Sequence, residues 1–200
     1  SAKPIFVTTL HQALDQPVVI ITSLNDVAKH LFEQLSIWSN DAANVYLFPE
    51  PDINPFEQES WDLMVISERL KVLNLLANNL ASAPVIVTSI GAVARKTVNS
   101  HLFSESTIEV KPGITVSQQS LIKRLIMMGY ERDRAVEIPG TFTRRGGIID
   151  VFSPAQDYPV RLDFYGSEIE NIRIFDPGSQ KSLSTLESAM LIPATEALSN

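Results

Sequence analysis

The N-terminal half of the chain combines short apolar runs with segments in which apolar residues recur at helical spacing. The runs Val18–Thr22, Val45–Phe48 and Val85–Thr88 each predict a strand that helices bury on both faces. Helical spacing over residues 27–35 and over about residues 62–80 predicts the helices between these strands. The succession of strand, helix, strand, helix and strand is typical of a right-handed parallel α/β sheet.

From residue 107 onward the pattern changes to strands around a single helix. Residues 107–111 alternate in the manner of a two-sided strand, which a Pro-Gly pair ends. Apolar residues from Val116 to Met128, Ile126 among them, predict one amphipathic helix that ends at Gly129. Only strands are predicted after it, so we expect the second part to be a small α+β domain.

A two-residue hairpin loop is predicted at Gly166-Ser167. Glycine in the first loop position is the preference of a type II′ turn. Such a turn pairs Tyr165 with Glu168 and Phe164 with Ile169. The sequence therefore fixes a register for this hairpin.

The predicted register gives the strand before the turn two different faces, because side chains alternate along a strand. On the return strand the apolar positions change phase, which predicts a bulge near Glu170 or Asn171. The core-facing residues are Val160, Leu162 and Phe164, and the residues that point the other way are Arg161, Asp163 and Tyr165.

Composition supports a folded protein without disulfides or a membrane span. The 200 residues are 44% hydrophobic, with a mean hydropathy of +0.07, which is ample material for one large or two small cores. No apolar run approaches the roughly 18 residues of a membrane span, and none has the form of a signal peptide. Cysteine is absent. We therefore expect a cytoplasmic protein with no membrane partner.

Charge divides the chain into two parts. The net charge of −7 argues against general binding to nucleic acid, which depends on Lys and Arg. Residues 1–110 hold six basic against twelve acidic residues, whereas residues 111–173 hold nine against eight. The predicted domains are residues 1–106 and residues 107–176, and residues 177–200 could return to the first.

No catalytic or cofactor site is predicted from these residues. The turns after the first and third strands lack the glycine spacing and the Gly-Lys-Ser/Thr ending of a phosphate-binding loop. A helix N-terminus could still bind an anion without specificity. The three histidines, His11, His30 and His101, share no metal-ligand spacing. We expect no catalysis, no metal and no cofactor in this chain.

Two further groups allow a functional interpretation beside a plainer one. Glu168 and Glu170 could act as an acid/base pair, although a charged solvent-facing strand explains them more simply. Residues around the proline-rich loop after Phe48 could bind a cation or stack on bases, or could form a solvated loop whose aromatic side chains pin it to the sheet. These residues are Tyr46, Phe48, Glu50, Asp52, Phe56, Glu57 and Trp61.

Arg144 and Arg145, directly before Gly146-Gly147, are the strongest candidates for binding a partner. Adjacent strand residues point to opposite faces, and neighbouring glycines leave room for another chain. With Arg161 and Tyr165 they form a set of residue types that are enriched at interface hot spots. An equally open alternative is that the arginines pair within the chain, with the acidic residues Asp150, Asp163 and Glu168.

Several short segments, in a fixed order and spacing, resemble one known family. They are Tyr46-Leu-Phe-Pro-Glu, Ile66-Ser-Glu-Arg-Leu, Gly129-Tyr-Glu-Arg, Glu137-Ile-Pro-Gly-Thr-Phe, Arg145-Gly-Gly-Ile-Ile-Asp-Val-Phe, Pro159-Val-Arg-Leu-Asp-Phe-Tyr-Gly-Ser-Glu-Ile-Glu, Ile174-Phe-Asp-Pro and Ile192-Pro-Ala. Residues from about 45 to 196 are thereby similar to the N-terminal module of bacterial transcription-repair coupling factors. The same region resembles the UvrB excision-repair proteins more distantly.

The resemblance implies a degenerate helicase-like α/β domain joined to a UvrA-binding domain. In that family the second domain recruits UvrA to a stalled RNA polymerase, and its UvrA-contacting arginines fall on Arg145 and Arg161. The companion aromatic residue, often Phe, falls on Tyr165, which adds a hydroxyl group. ATP hydrolysis with Mg²⁺, and contact with DNA, belong in that family to motor domains further downstream. The chain is then expected to be a non-catalytic fragment.

A second hypothesis is a UvrB-like DNA-damage sensor that depends on a nucleotide. UvrB proteins carry a phosphate-binding loop at the start of this region and an aromatic-rich hairpin that probes DNA. This chain contains no Gly-Lys-Ser/Thr sequence, and the segment after Phe48 resembles the coupling factors instead. Saturable ATP binding by this chain would favour the second hypothesis.

Overall fold

The computed structural model describes residues 3–14, 16–39, 44–51, 63–77 and 83–198. The chain divides into two compact units, Ser1–Thr97 and Val98–Asn200. No helix within the described ranges is long and apolar enough to span a bilayer.

The first unit is built on a three-stranded parallel sheet in which β3 lies between β1 and β2. The predicted parallel sheet is thereby confirmed. The first helix was not predicted. Its elements are α1 (Lys3–Leu14), β1 (Val18–Thr22), α2 (Asn25–Trp38), β2 (Val45–Phe48), α3 (Leu63–Ala77), β3 (Val85–Ser89) and α4 (Ile90–Val93).

The strand β1 is not buried on both faces, which corrects the prediction. Val19 and Ile21 are each 56% exposed, whereas every residue of β3 is buried. The difference has a topological cause. The strand β1 is at the edge of the sheet, and α3 packs against β2 at the opposite edge. An apolar run alone does not show whether a strand is central or at an edge.

The second unit contains a six-stranded sheet in the order β10-β9-β8-β7-β6-β5, antiparallel except for the β5–β6 pair. A separate antiparallel pair joins β11 to β4. The elements are α5 (Ser100–Ser106), β4 (Ile108–Val110), α6 (Gln118–Met127), β5 (Glu131–Arg132), β6 (Thr141–Arg145), β7 (Ile148–Val151), β8 (Val160–Tyr165), β9 (Glu168–Phe175), β10 (Ser182–Thr185) and β11 (Ala189–Leu191).

The helix α6 covers one face of the six-stranded sheet. Leu121, Leu125 and Met128 recur at helical spacing and join the core formed by that face. The helix is followed by Gly129 with a φ of 86°, as predicted from its sequence. Ile126 was predicted to support the same apolar stripe, but it is 58% exposed. It lies one position beyond Leu125 and therefore turns about 100° away from the sheet.

The C-terminal segment belongs to the second unit. The second compact unit begins at Val98, and residues 177–198 are part of it. They stay because β10 pairs with β9 and β11 pairs with β4. The buried Tyr130 hydroxyl also donates a 2.7 Å hydrogen bond to the carbonyl oxygen of Ile192, and its burial raises the pKa of Tyr130.

The β8–β9 hairpin has the predicted register. Tyr165 pairs with Glu168 and Phe164 pairs with Ile169. Asp163 pairs with Asn171, so that Glu170 is the extra residue of a bulge. Gly166 has a φ of 63° and Ser167 does not have a positive φ, as a type II′ turn requires.

Candidate partner-docking site

The face of the six-stranded sheet that turns away from α6 carries charged residues at adjacent register positions. Asp150 on β7 lies opposite Thr143 of β6 on one side and opposite Arg161 of β8 on the other. Arg173 of β9 lies opposite Arg161. Arg145 lies two residues from Thr143 and therefore shares the same face. We define the charged face as Arg145, Asp150, Arg161, Asp163, Tyr165 and Arg173.

Asp150 is the centre of this face and is fully buried, with 0% exposure. Its Oδ1 accepts a hydrogen bond from Arg161 Nε at 2.7 Å. Its Oδ2 accepts from Arg161 Nη2 at 2.9 Å and from Arg145 Nη2 at 2.8 Å. A carboxylate needs such partners when it is buried, because an isolated interior charge is strongly unfavourable. Both arginines are therefore paired within the chain.

Arg161 is largely enclosed by the fold. Its side chain is only 15% exposed, and its Cζ lies 4.5 Å from the centre of the Phe175 ring. The hydrogen bonds to Asp150 raise the pKa of Arg161, and they outweigh the opposing effect of burial. Most of the Arg161 guanidinium is thus occupied before any partner arrives.

Arg145 remains accessible although it is paired. Its side chain is 55% exposed, in contrast to the 15% of Arg161. Only its Nη2 takes part in the hydrogen bonds to Asp150 and Gln180, so within the described ranges Nε and Nη1 donate to no protein atom. Each of these two donors can form a charge-assisted hydrogen bond with an acceptor such as a carboxylate oxygen.

Tyr165 lies at the tip of the neighbouring hairpin. It is 79% exposed and is the last residue of β8 before the turn. The Phe164 amide donates a 2.8 Å hydrogen bond to the Gly147 carbonyl, which joins this tip to the tip that follows Arg145. A Cβ on Gly147 would lie 3.1 Å from the Phe164 carbonyl oxygen, so glycine permits the close approach of the two strands.

Arg144 does not belong to the charged face. It pairs with Ile149 in the ladder, and Ile149 is part of the core on the α6 side of the sheet. The Nε of Arg144 donates a 2.6 Å hydrogen bond to Oε1 of Gln118 at the start of α6. The structure therefore places Arg145, Arg161 and Tyr165 on one face of the sheet and separates Arg144 from them.

Two further residues contribute to the charged face and were not predicted. Arg173 donates from Nε and Nη2 to the two carboxylate oxygens of Asp163, each at 3.0 Å. Asp163 is thus the partner of Arg173, and neither Arg145 nor Arg161 donates to it within the described part of the chain. Gln180 Oε1 lies 3.5 Å from Nη2 of both Arg145 and Arg161. The Asp-Pro-Gly sequence before Gln180 indicates a turn but not the direction of that side chain.

The glutamates of the hairpin are not placed as an acid/base pair. Glu168 is opposite Tyr165, whereas Glu170 is the bulged residue, and both are exposed. Among the described residues no group of three or more His, Asp and Glu side chains could hold a metal ion.

In the first unit, the edge where the parallel strands end holds an internal carboxylate. Glu50 accepts a 3.0 Å hydrogen bond from the Ser89 hydroxyl and lies 3.9 Å from Nη2 of Arg95. Its carboxylate occupies the space that a Cβ of Gly91 would need. Ligands of parallel α/β sheets bind at this edge. A carboxylate there repels a phosphate group.

The structure shows how Phe48, one of the aromatic residues around the proline-rich loop, is packed. Phe48 packs inside the first unit, with its ring centre 4.0 Å from Cζ of Arg69. Arg69 is fully buried and donates a 2.8 Å hydrogen bond to the Pro49 carbonyl. Phe48 therefore holds its own loop. The remaining candidates, Asp52, Phe56, Glu57 and Trp61, lie outside the described residues.

Comparison with known proteins finds a family model that matches the second unit and relatives that match nearly the whole chain. Residues 108–196 match the family model of the UvrB interaction domain. The transcription-repair-coupling factor of Myxococcus xanthus is 36% identical over 194 residues, which are 94% of this chain and 16% of that protein. Its counterpart in Bacillus subtilis is 30% identical over 198 residues, which are 99% of this chain and 17% of that protein.

A more distant relative, the transcription-repair-coupling factor of Staphylococcus haemolyticus, is 28% identical over 156 residues. The chain spans about a sixth of the length of the first two relatives. It is therefore similar to one segment of these longer proteins. Over nearly its whole length the chain is therefore homologous to one segment of the transcription-repair-coupling factors, and its residues 108–196 match the UvrB interaction domain.

Proposed function

We propose that this chain is a non-catalytic module that recruits UvrA, and that the charged face of the second unit is the docking site. The observation that carries the proposal is the position of Arg145, 55% exposed and hydrogen-bonded to Asp150, on the same sheet face as the 79% exposed Tyr165. Both belong to the segment that matches the UvrB interaction domain. Exposed arginine and tyrosine on a rigid sheet are the residue types that dominate interface affinity.

The three predicted residues have different parts in this proposal. Arg145 offers hydrogen-bond donors to UvrA, and Tyr165 offers an aromatic ring with a polar end. Arg161 supports them, because its side chain is 15% exposed and is engaged with Asp150. Arg144 is on the other face of the sheet and takes no part.

The other partners of the family are proposed to contact parts of the longer protein outside this chain. ATP hydrolysis with Mg²⁺, contact with DNA and contact with RNA polymerase would reside in those parts, because the chain spans only about a sixth of its relatives. We further propose that the first unit is a degenerate helicase-like domain. The Glu50 carboxylate at the end of its parallel sheet supports the loss of phosphate binding there.

The proposal is tested by measuring the affinity of purified UvrA for Arg145→Glu. Reversal of a charge that is desolvated on binding costs about 2–5 kcal/mol, so we expect a loss of affinity of at least about 30-fold. Arg144→Glu is the matched control, since it places the same charge one residue away on the opposite sheet face. It should change the affinity by less than about threefold.

Three outcomes would contradict the proposal. Arg145→Glu could bind UvrA as the unchanged chain does, Arg144→Glu could lose as much affinity as Arg145→Glu, or the unchanged chain could fail to bind UvrA. Thermal unfolding of both variants shows whether the fold is retained. Titration of the unchanged chain with ATP and Mg²⁺ separates the UvrB-like alternative, for which saturable nucleotide binding is expected.

A further inference from the structure

Two of the three guanidinium groups on the charged face, those of Arg145 and Arg161, share the Asp150 carboxylate, and they bind it in different ways. Arg161 donates to both oxygens of Asp150 and is fixed by two hydrogen bonds. Arg145 donates to Oδ2 alone, through Nη2. A single hydrogen bond leaves an arginine free to rotate about it. The direction of the exposed Arg145 donors therefore depends on a second contact.

Gln180 supplies that second contact. Its Oε1 lies 3.5 Å from Nη2 of Arg145 and also 3.5 Å from Nη2 of Arg161, so that one amide oxygen faces both arginines. Its own Nε2 donates a 2.6 Å hydrogen bond to the Pro177 carbonyl, which fixes the orientation of the amide. Both ends of the half-buried Gln180 side chain are thus engaged within the second unit.

The backbone around Gln180 is arranged for this contact. Gln180 has a φ of 60°, and it is the one non-glycine residue with a positive φ in the described ranges. Its amide donates a 2.8 Å hydrogen bond to the Asp176 carbonyl, which closes the turn over residues 176–180. A left-handed conformation is unfavourable for a residue with a Cβ. The turn therefore holds the side chain of Gln180 over the arginines at a conformational cost.

Fixed donors bind more tightly than mobile ones, because an arginine side chain loses rotamer freedom when a partner immobilises it. We propose that Gln180, together with Asp150, is a positioning residue that holds Arg145 in its docking direction. Gln180 then strengthens UvrA binding without itself contacting UvrA. This inference rests on the proposed docking function.

A double-mutant cycle on the full chain tests the proposal, with UvrA affinity as the measurement. Gln180→Ala should weaken binding about three- to tenfold, the size of effect expected when one ordinary hydrogen bond is lost. In an Arg145→Ala background the same change should have no further effect, since Gln180 acts through Arg145. An equal loss in both backgrounds, or no loss in either, would overturn the proposal.

Two further variants separate positioning from folding. Gln180→Asn keeps a residue that tolerates a left-handed backbone but shortens the side chain by one methylene, so it should weaken binding as Gln180→Ala does while the turn is retained. Gln118→Ala is the matched control, because Gln118 accepts a hydrogen bond from Arg144 on the opposite face of the sheet. It should leave the affinity unchanged. Full affinity in Gln180→Asn, or a loss in Gln118→Ala equal to that in Gln180→Ala, would overturn the proposal.

A measurement without UvrA distinguishes failure of this inference from failure of the docking function. Nitrogen-15 relaxation of the arginine Nε–H groups reports the mobility of each guanidinium. Gln180→Ala should increase the mobility of Arg145 and leave that of Arg144 unchanged. Unchanged mobility of Arg145 would overturn the positioning role. Increased mobility without any UvrA binding by the unchanged chain would support positioning and overturn the docking function alone.

Discussion

The two units of this chain use their sheets in different ways. In the first unit the parallel sheet has a fully buried central strand, and its edge strand leaves Val19 and Ile21 each 56% exposed. In the second unit, one face of the sheet packs against α6, and the other encloses the charged Asp150. The first sheet is a scaffold for helices, whereas the second sheet has one face for stability and one for polar contacts.

Each unit encloses an arginine side chain, fully in the case of Arg69 and largely in the case of Arg161, and the two guanidinium groups have different hydrogen-bond partners. Arg69 in the first unit is fully buried, stacks on Phe48 and donates to a backbone carbonyl. Arg161 in the second unit stacks on Phe175 and donates to a carboxylate. The hydrogen bond from Arg69 to Pro49 anchors a loop. The Asp150 carboxylate that binds Arg161 also accepts a hydrogen bond from a second arginine. In the second unit that second arginine is Arg145, whose paired guanidinium remains exposed.

The largest effect that would sharpen this comparison is expected from the core of the second unit. Phe142 is 1% exposed, so Phe142→Ala should lower the free energy of unfolding of that unit by about 3–5 kcal/mol. The matched control is Phe6→Ala in the first unit, where the side chain is 66% exposed and the change should stay within about 0.5 kcal/mol. Hydrogen exchange of amides in β8 and β3 measures the two units separately. Similar losses in both variants would contradict the comparison.

A smaller effect is expected where Glu50 lies against Gly91. Gly91→Ala adds a Cβ in the space of the Glu50 carboxylate, which is the end of a flexible side chain and must move away from the Ser89 hydroxyl. The expected cost in the first unit is therefore about 0.5–1.5 kcal/mol, the net contribution of one hydrogen bond. Combined with Glu50→Ala, the same substitution should cost much less, because the obstruction is gone. In the second unit, a Cβ at Gly178 meets its nearest atom at 3.7 Å, so Gly178→Ala is the mild control. Chemical denaturation measures the free energy of unfolding of the unchanged chain and of these variants, with Glu50→Ala as the reference for the double variant. Equal losses for Gly91→Ala and Gly178→Ala would show that the Glu50 carboxylate does not obstruct a side chain at position 91.

The smallest effect concerns the turn that carries Gln180. Two hydrogen bonds from Ser179 lower the pKa of Asp176. The larger effect comes from the Ser179 side chain, and the smaller comes from the Ser179 amide, which donates to Oδ1 at 2.7 Å. Because the folded pKa lies below the unfolded value of 3.8, this stabilisation is present above pH 3.8 and is lost as the pH falls through the folded value. Ser179→Ala should raise the pKa of Asp176 partway, since the amide bond remains. A carboxyl titration followed by NMR tests this, and an unchanged pKa would contradict it.

Local sequence was sufficient to predict the hairpin of the charged face. Gly166 specifies the turn of this hairpin. The turn sets the pairing of Tyr165 with Glu168, because these two residues directly flank the two-residue loop. The bulge at Glu170 followed from the change in apolar phase. From that register, the common face of Arg161 and Tyr165 was predictable.

Long-range arrangement was not predictable in the same way. Whether β1 is central or at an edge depends on where β3 inserts, and the prediction that both of its faces are buried was wrong. Residues 177–198 remain in the second unit because of pairings with β9 and β4. The helix α1 and the contacts of Gln180 with Arg145 and Arg161 were likewise missed, because these contacts join residues that are far apart in the sequence.

The sequence by itself determined the three strands of the first sheet, the end of α6, the turn of the β8–β9 hairpin and the face to which Arg161 and Tyr165 belong, because periodicity and turn chemistry act between neighbouring residues. Only the tertiary structure decided which arginine is open to a partner. Asp150 could pair with several cations, and the choice followed from the cross-strand register and the burial that this register imposes. Burial and long-range pairing depend on the whole sheet, so Arg161 became part of the fold while Arg145 stayed exposed.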